Sequence, residues 1–289
     1  MKQPSGRLSN ACGRGLFALA AWLIAVGAQA QVYQSLAVSK HVDLQTGQWE
    51  TLQDYEGSND FASARTSYSD QFANSNSQAA AIAGNRRLGV GGYTRVDGQS
   101  TDLGVTSNAT AVWSDQVTID SPSHMGANAL WIVRLNFHWK VFSASGVGGA
   151  GFAYAGLGFS PNIANSNALL VQSDVRTSEI DSQYAEWDSY VDAFIPIVIG
   201  QPFQFTVKLE GGTEAFSWGG GFGNSYFDSM QTVEFAGTQG VSLETGGSVD
   251  TFDVISASGT DWVTPVPEPG TFLALSLGAL AFRRRRARS

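Results

Sequence analysis

The chain is nearly devoid of cysteine. Among its 289 residues only Cys12 carries a thiol, and it falls within an amino-terminal segment that export is predicted to remove. The rest of the chain therefore has no side chain for a disulfide, a thiolate nucleophile or a thiolate metal site. Its stability must come from packing and hydrogen bonding.

Histidine is also scarce, and common catalytic patterns are missing. The three histidines are His41, His124 and His138. They form neither an H-E-x-x-H zinc motif nor a close pair, and the chain has no G-x-S-x-G nucleophile elbow. His138 lies on the polar face of a predicted strand, where its side chain is expected to be exposed. We predict from these absences that the protein is not an enzyme.

Basic residues are few in the central part of the chain. Between residues 31 and 265 there are nine lysines and arginines against 24 aspartates and glutamates, which gives a net charge of −15. Such a charge argues against a nucleic-acid partner and favours solubility, divalent cations or basic partners. Calcium is a candidate ligand, but there is no D-x-[DN]-x-[DN]-G loop to locate a site for it.

The amino terminus has the features of a secretory signal peptide. Lys2, Arg7 and Arg14 precede an apolar stretch at residues 16–28, and small residues then occupy the positions that a signal peptidase reads. We expect residues 1–30 to be removed by cleavage before Gln31. An uncleaved membrane anchor is the alternative, and the short apolar stretch disfavours it.

The last 24 residues consist of three consecutive parts. A Pro-Glu-Pro segment is followed by an apolar run at residues 272–282 and then by an arginine block. The prolines prevent a helix or strand from continuing through them, and the arginines hold their end on the cytoplasmic side of a membrane. Eleven apolar residues make a helix of ~16 Å against a hydrocarbon core of ~30 Å, so this short apolar helix suits a transient membrane stop. The residues of the segment and of the block are Val266, Pro267, Glu268, Pro269, Arg283, Arg284, Arg285 and Arg286.

This tail resembles the PEP-CTERM sorting signal, which is recognised by exosortase-type transpeptidases of Gram-negative bacteria. The resemblance implies an exported protein that is tethered transiently to the inner membrane and is processed by such an enzyme. The sorting signals at both ends, together with the absence of catalytic motifs, favour the hypothesis of a cell-surface or extracellular-matrix protein with a binding or scaffolding role within exopolysaccharide. The segments at 109–120, 199–209 and 255–262 also look like recurring strands of the domains that precede such tails.

Residues 31–265 are predicted to form one all-β domain. Large apolar side chains alternate with mostly polar ones at 131–141 and again at 203–210, as in half-buried antiparallel strands. Further strands are predicted at 109–120, 151–160, 187–199, 232–235, 241–244 and 252–256. Short strands divided by glycine, asparagine and serine turns predict an antiparallel, jelly-roll-like β-sandwich.

Three places in this domain depart from the simple pattern. Asp115 falls on the otherwise apolar face of the strand predicted at 109–120, which predicts a bulge or a strand end near Ser114. The region 31–87 is undecided, and residues 78–83 are expected to form a short helix or a loop. The glycines at 146–151 satisfy G-x-G-x-x-G, but no helical pattern follows them, so we interpret them as a turn between strands.

Two further sets of residues suggest chemistry. The carboxylates of Asp181, Glu186, Asp188 and Asp192 on or near one predicted strand allow the alternative of a secreted, glycosidase-like hydrolase, whereas a solvated strand face explains them as well. Tryptophans in or near loops would either stack on sugar rings or plug the ends of the sandwich. These tryptophans are Trp49, Trp187, Trp218 and Trp262.

Overall fold

A computed structural model describes residues 32–43, 49–58, 61–70, 75–84, 86–97, 102–160, 171–218 and 220–265. The predicted signal peptide and the tail at 266–289, including the predicted short apolar helix, lie outside the described residues. Within those residues, no helix is long and apolar enough to cross a membrane.

The described residues form thirteen β-strands and one 3-10 turn at Pro122–His124. All strand pairings are antiparallel, and they build two sheets that face each other. The strands are β1 (Val32–Asp43), β2 (Trp49–Ser58), β3 (Phe61–Asp70), β4 (Ser75–Gly84), β5 (Arg87–Asp97), β6 (Leu103–Asp120), β7 (Asn128–Ser145), β8 (Gly149–Ser160), β9 (Val171–Ser178), β10 (Asp181–Val198), β11 (Phe203–Ser217), β12 (Phe222–Leu243) and β13 (Asp253–Ser256).

The eight strands from β5 to β12 have the connectivity of a jelly roll. They pair as a long folded hairpin, β5 with β12, β6 with β11, β7 with β10 and β8 with β9. Wrapping this hairpin adds the pairings of β7 with β12 and of β8 with β11, which close two sheets around one core. The predicted all-β, jelly-roll-like sandwich is therefore confirmed.

The first four strands widen both sheets of the jelly roll. The first sheet has the order β2-β1-β6-β11-β8-β9, with β13 also paired to β6, and the second has the order β10-β7-β12-β5-β4-β3. The predicted helix or loop at residues 78–83 is wrong, because these residues lie within β4. Alanine favours helices, but here alternate alanines of β4 point inward and their small side chains let the two sheets approach closely. Across this narrow part, the Ser35 hydroxyl donates to the Ala62 carbonyl at 2.9 Å.

The core lies between the two sheets and is rich in aromatic side chains. The inward residues of β7 are buried along the whole strand, as the alternation at 131–141 predicts. Its Trp131 packs edge-on against Phe205 of the opposite sheet, with ring centroids 5.0 Å apart. The turn between β7 and β8 covers residues 146–148, where Gly148 takes a positive φ of 72°, whereas residues 149–151 of the predicted turn lie in β8. The residues of the second sheet that point away from this core form an outer face of the domain.

Candidate binding face and C-terminal strap

A row of four aromatic side chains crosses the outer face of the second sheet. Tyr184 of β10 lies opposite Phe142 of β7, Phe142 lies opposite Tyr226 of β12, and Tyr226 lies opposite Tyr93 of β5. The rings of Phe142 and Tyr226 are stacked, with centroids 5.1 Å apart and planes at 23°. We call these four residues the aromatic row. Because they occupy four adjacent strands, they span ~14 Å.

Polar side chains occupy the neighbouring positions on both sides of the aromatic row. Asn224 lies opposite Arg95 on one side, and Lys140 lies opposite both Glu186 and Asp228 on the other. Each of these residues is two positions from a member of the row on its own strand, so all point outward. The outer face thus combines apolar rings with hydrogen-bond donors and acceptors.

Glu186 is held by a small network at the β10 end of this face. The Tyr184 hydroxyl donates to its carboxylate, Lys140 Nζ lies 3.2 Å from Oε1 and His138 Nε2 lies 3.7 Å from it. The hydrogen bond from Tyr184, followed by that from Lys140, lowers the pKa of Glu186. The same bond raises the pKa of Tyr184 to about 12. A glycosidase acid needs a raised pKa, so this environment does not suit Glu186 to that role.

Tyr190 of β10 is oriented by an ion pair on the same face. Arg134 donates from Nε and Nη2 to the two carboxylate oxygens of Asp192, both at 2.7 Å. Its guanidinium lies 4.0 Å from the centroid of the Tyr190 ring. The hydrogen bond from Arg134 lowers the pKa of Asp192, which keeps the pair charged. Tyr190 is nevertheless 56% exposed, so a fixed aromatic ring is presented to solvent.

The carboxylates of the predicted hydrolase site lie along one exposed strand. Asp181 accepts hydrogen bonds from Ser182 and Gln183 at the start of β10, and Asp188 lies opposite His138. Glu186 and Asp192 are six residues apart, or ~20 Å along the strand, which exceeds the ~5–9.5 Å separation of glycosidase pairs. Glu186 and Asp188 are two residues apart, or ~7 Å, which lies within that range, but both project from one exposed strand. In the described part of the chain, no three histidine, aspartate or glutamate side chains are grouped to hold a metal ion.

The predicted loop tryptophans occupy different environments. Trp187 and Trp218 are 46% and 39% exposed, whereas Trp262 is fully buried. The side chain of Trp49 lies outside the described residues. The Trp262 ring packs against Phe205 and Phe235, with centroids 5.4 and 5.1 Å away. It therefore fills the core, as the plugging interpretation predicts.

Trp262 belongs to a segment, residues 253–265, that we call the C-terminal strap. The strap begins as β13 beside the end of β6. Its Ser256 and Ser258 hydroxyls and its Trp262 Nε1 donate to Oδ2 of Asp115, at 2.6, 2.7 and 2.7 Å. The predicted bulge or strand end near Ser114 is wrong, because β6 pairs in one register through this position. The Asp115 carboxylate can lie in the core because hydrogen-bond donors of the strap offset the cost of burying it.

Thr238 of β12 holds the strap beyond Asp115. Its hydroxyl donates to the Trp262 carbonyl at 2.6 Å and accepts a hydrogen bond from Trp131 Nε1 at 3.0 Å. Its amide donates to the Val263 carbonyl at 3.2 Å. One threonine thus connects the strap to both the backbone of β12 and the aromatic core.

Arg86 and Asp261 hold the last residues of the strap. The Arg86 guanidinium donates to the carbonyls of Asp261 and Thr264, at 2.9 Å in the second case. The Asp261 carboxylate accepts from the amides of Val263 and Thr264 at 2.8 and 3.1 Å, and also from the Thr264 hydroxyl. The hydrogen bond from the Thr264 hydroxyl, followed by those from the amides of Thr264 and Val263, lowers the pKa of Asp261. The chain is consequently fixed to the domain as far as Thr264.

Sequence reasoning identified parts of β6, β7, β8, β10, β11, β12 and β13, but it named no strand for β1 to β5 or for β9 and did not find these two sites. The aromatic row comes from β5, β7, β10 and β12, which are separated along the chain, so only their pairing brings the rings together. The available signal in the sequence was that Phe142 and Tyr184 are aromatic residues at positions of their strands that point outward. For Asp115, the signal was its charge at an apolar parity, whose partners lie more than 140 residues away.

The chain carries a PEP-CTERM protein-sorting motif at residues 265–287, and that prediction is confirmed. The motif starts at the end of the C-terminal strap and marks a protein that is exported, tethered at a membrane and sorted by exosortase. No curated protein matches the chain in sequence. Among solved structures, it aligns with a protein of the T13 IBDV viral particle, with 8% identity, over 89% of this chain and 70% of that one. The TM-score of that alignment is 0.16, which does not define a shared fold.

Proposed function

We propose that this exported protein binds extracellular polysaccharide through the outer face of its second sheet. In this role it acts as a binding or scaffolding component at the cell surface or in the extracellular matrix. The observation that supports the proposal is the aromatic row together with the oriented ring of Tyr190.

The chemistry of this face suits sugar rings. Aromatic side chains pack against the apolar C–H groups of a pyranose, and a tyrosine adds a hydroxyl for hydrogen bonding. Because Arg134 already fixes the Tyr190 ring, binding costs less side-chain entropy there than at a freely rotating ring. The residues beside the aromatic row supply donors and acceptors for sugar hydroxyls.

The charge of the domain favours a neutral polymer. With a net charge of −15 over residues 31–265, the protein repels a strongly anionic chain at low ionic strength. On the binding face itself, Glu186 and Asp192 are paired with Lys140 and Arg134, so these two carboxylates are compensated. We therefore expect glucan-type polymers to bind more tightly than uronic-acid polymers.

Affinity electrophoresis with purified protein tests this function. The gels contain dextran, xylan, alginate or the exopolysaccharide of the producing bacterium. Tyr184→Ala and Tyr190→Ala should each weaken binding about tenfold, or ~1.4 kcal/mol, because each removes an exposed ring from the face. Tyr55→Ala is the matched control, because Tyr55 is 50% exposed on β2 of the other sheet.

Two outcomes contradict the proposal. One is that none of the polymers retards the wild-type protein. The other is that Tyr55→Ala weakens binding as much as Tyr184→Ala and Tyr190→Ala do, which would place binding elsewhere or make it nonspecific. Removal of Ca²⁺ with a chelator in parallel gels shows whether a divalent cation bridges protein and polymer.

A further inference from the structure

The C-terminal strap ends where the sorting motif begins. The chain is held by hydrogen bonds through Thr264, and Pro265 packs over Gly237 of β12. The motif starts at residue 265, so only Val266 separates the held part of the chain from Pro267 of the Pro-Glu-Pro segment. Along the sequence, the Pro-Glu-Pro segment therefore follows the docked strap almost immediately.

The docked strap does not offer its backbone to an enzyme. Peptide-binding clefts commonly take up an extended chain by hydrogen bonds to its main-chain amides and carbonyls. The carbonyls of residues 261–264 already accept hydrogen bonds from Arg86 and Thr238. The amides of Val263 and Thr264 already donate to Asp261. An enzyme that cuts before residue 265 must first break these contacts.

The strap is difficult to lift because its central residue is part of the core. Trp262 is fully buried, its ring centroid lies 6.0 Å from that of Trp113, and its Nε1 donates to Asp115. Undocking exposes the indole and leaves the Asp115 carboxylate without this donor. The strap should therefore be released when the core of the domain is disturbed and remain docked when the core is intact.

We propose that the C-terminal strap is a folding-dependent guard that confines tail removal to residues 266–271. These residues lie between the strap and the apolar run at 272–282. In the reaction one peptide bond breaks, its carbonyl carbon passes to an acceptor amine, hydroxyl or water, and the tail leaves with the new amino group. In a misfolded chain the strap is not docked, so cutting extends upstream into residues 253–265 and removes residues that complete the core. The guard rests on processing by the sorting enzyme and is independent of polysaccharide binding.

Limited proteolysis of the purified full chain tests the guard directly. Proteinase K and intact-mass analysis are expected to give cuts at 266–271 and protection of 253–265 in the wild-type protein. Asp261→Ala removes the acceptor for the last strap amides but leaves Trp262 in place, so cutting should extend to residues 263–265 at least tenfold faster. Asp115→Ala should extend cutting through 253–262. Asp250→Ala is the matched control, because Asp250 bonds to Ser248 and not to the strap.

Three results decide the proposal. Wild-type cutting within 253–265 as fast as at 266–271 overturns it, and so does an Asp261→Ala variant that is cut like the wild type. Thermal melting of Asp261→Ala shows whether the domain remains folded, which separates strap release from global unfolding.

In the producing bacterium, C-terminal peptide mapping should place the new terminus within 266–271. A tail intact to Ser289 would overturn the processing role, while polysaccharide binding would stand.

Discussion

Replacement of Asp115 by alanine should destabilise the domain strongly. The change removes the acceptor of three hydrogen bonds at 2.6–2.7 Å inside the core. Ser256 and Ser258 can compensate in part, because their hydroxyls lie 2.7 Å apart and one can donate to the other once the carboxylate is gone. Trp262 Nε1 has no such substitute, and an unsatisfied buried donor costs ~1–3 kcal/mol. The cavity left by the carboxylate adds ~1 kcal/mol.

The same structure limits the loss. Oδ1 of Asp115 has no hydrogen-bond partner among the described residues, so removal of the carboxylate also removes a buried charge that is incompletely solvated. We expect a net loss of ~3 kcal/mol for Asp115→Ala. Asp115→Asn keeps an oxygen for Trp262 and should cost only ~1 kcal/mol.

Urea unfolding followed by tryptophan fluorescence and far-UV circular dichroism measures both variants. Coincident transitions from the two probes justify a two-state free energy of unfolding. At ~2–4 °C per kcal/mol, Asp115→Ala should lower Tm by roughly 10 °C. An alanine variant as stable as the wild type would refute the role assigned to this hydrogen-bond cluster. An asparagine variant as unstable as the alanine variant would show that charge, rather than an oxygen acceptor, holds the strap.

Other parts of the structure give further predictions. Gly211→Ala should lower the unfolding free energy in urea by ~1–3 kcal/mol, because its new Cβ would collide with the ring of Phe227. The hydrogen bond from Arg134 lowers the pKa of Asp192, so this ion pair stabilises the folded protein at neutral pH. That stabilisation is lost when the pH falls through the lowered pKa, below about 4. The fall in Tm between pH 5 and pH 2 should therefore be smaller in Arg134→Ala than in the wild type. Tyr184→Phe should remove the absorbance of one tyrosinate from the part of the ultraviolet titration near pH 12, because the pKa of this hydroxyl is raised to about 12. Loss of that absorbance near pH 10 instead would contradict the hydrogen bond to its neighbouring carboxylate.

The strands could be predicted where one face is buried and the other is exposed. At residues 131–141 large apolar and polar residues alternate, and β7 is a strand there with every inward residue buried. At 78–83 the alanines carry no such contrast, because alanine is small, apolar and a helix former. Their burial follows from the opposite sheet, so the local sequence could not reveal it.

Pairing and long-range partners could not be predicted from local sequence. The jelly-roll order follows from which strand edges meet, and the aromatic row requires that order as well as the register. Asp115 looked like an interruption of β6 because its partners Ser256, Ser258 and Trp262 are distant in the chain. The sorting motif was predictable because its three parts are contiguous and act through local composition.

Hydrogen–deuterium exchange of the protein with and without a bound glucan most directly tests where the polymer binds. The edge strand β10 carries Tyr184 and Tyr190, so its amides should exchange more slowly when polymer covers the outer face. The edge strand β2 of the other sheet should be unchanged and serves as the internal control. Protection of β10 without protection of β2 is the predicted result. Protection of β2, or unchanged exchange in β10 at saturating polymer, would contradict binding at the outer face of the second sheet.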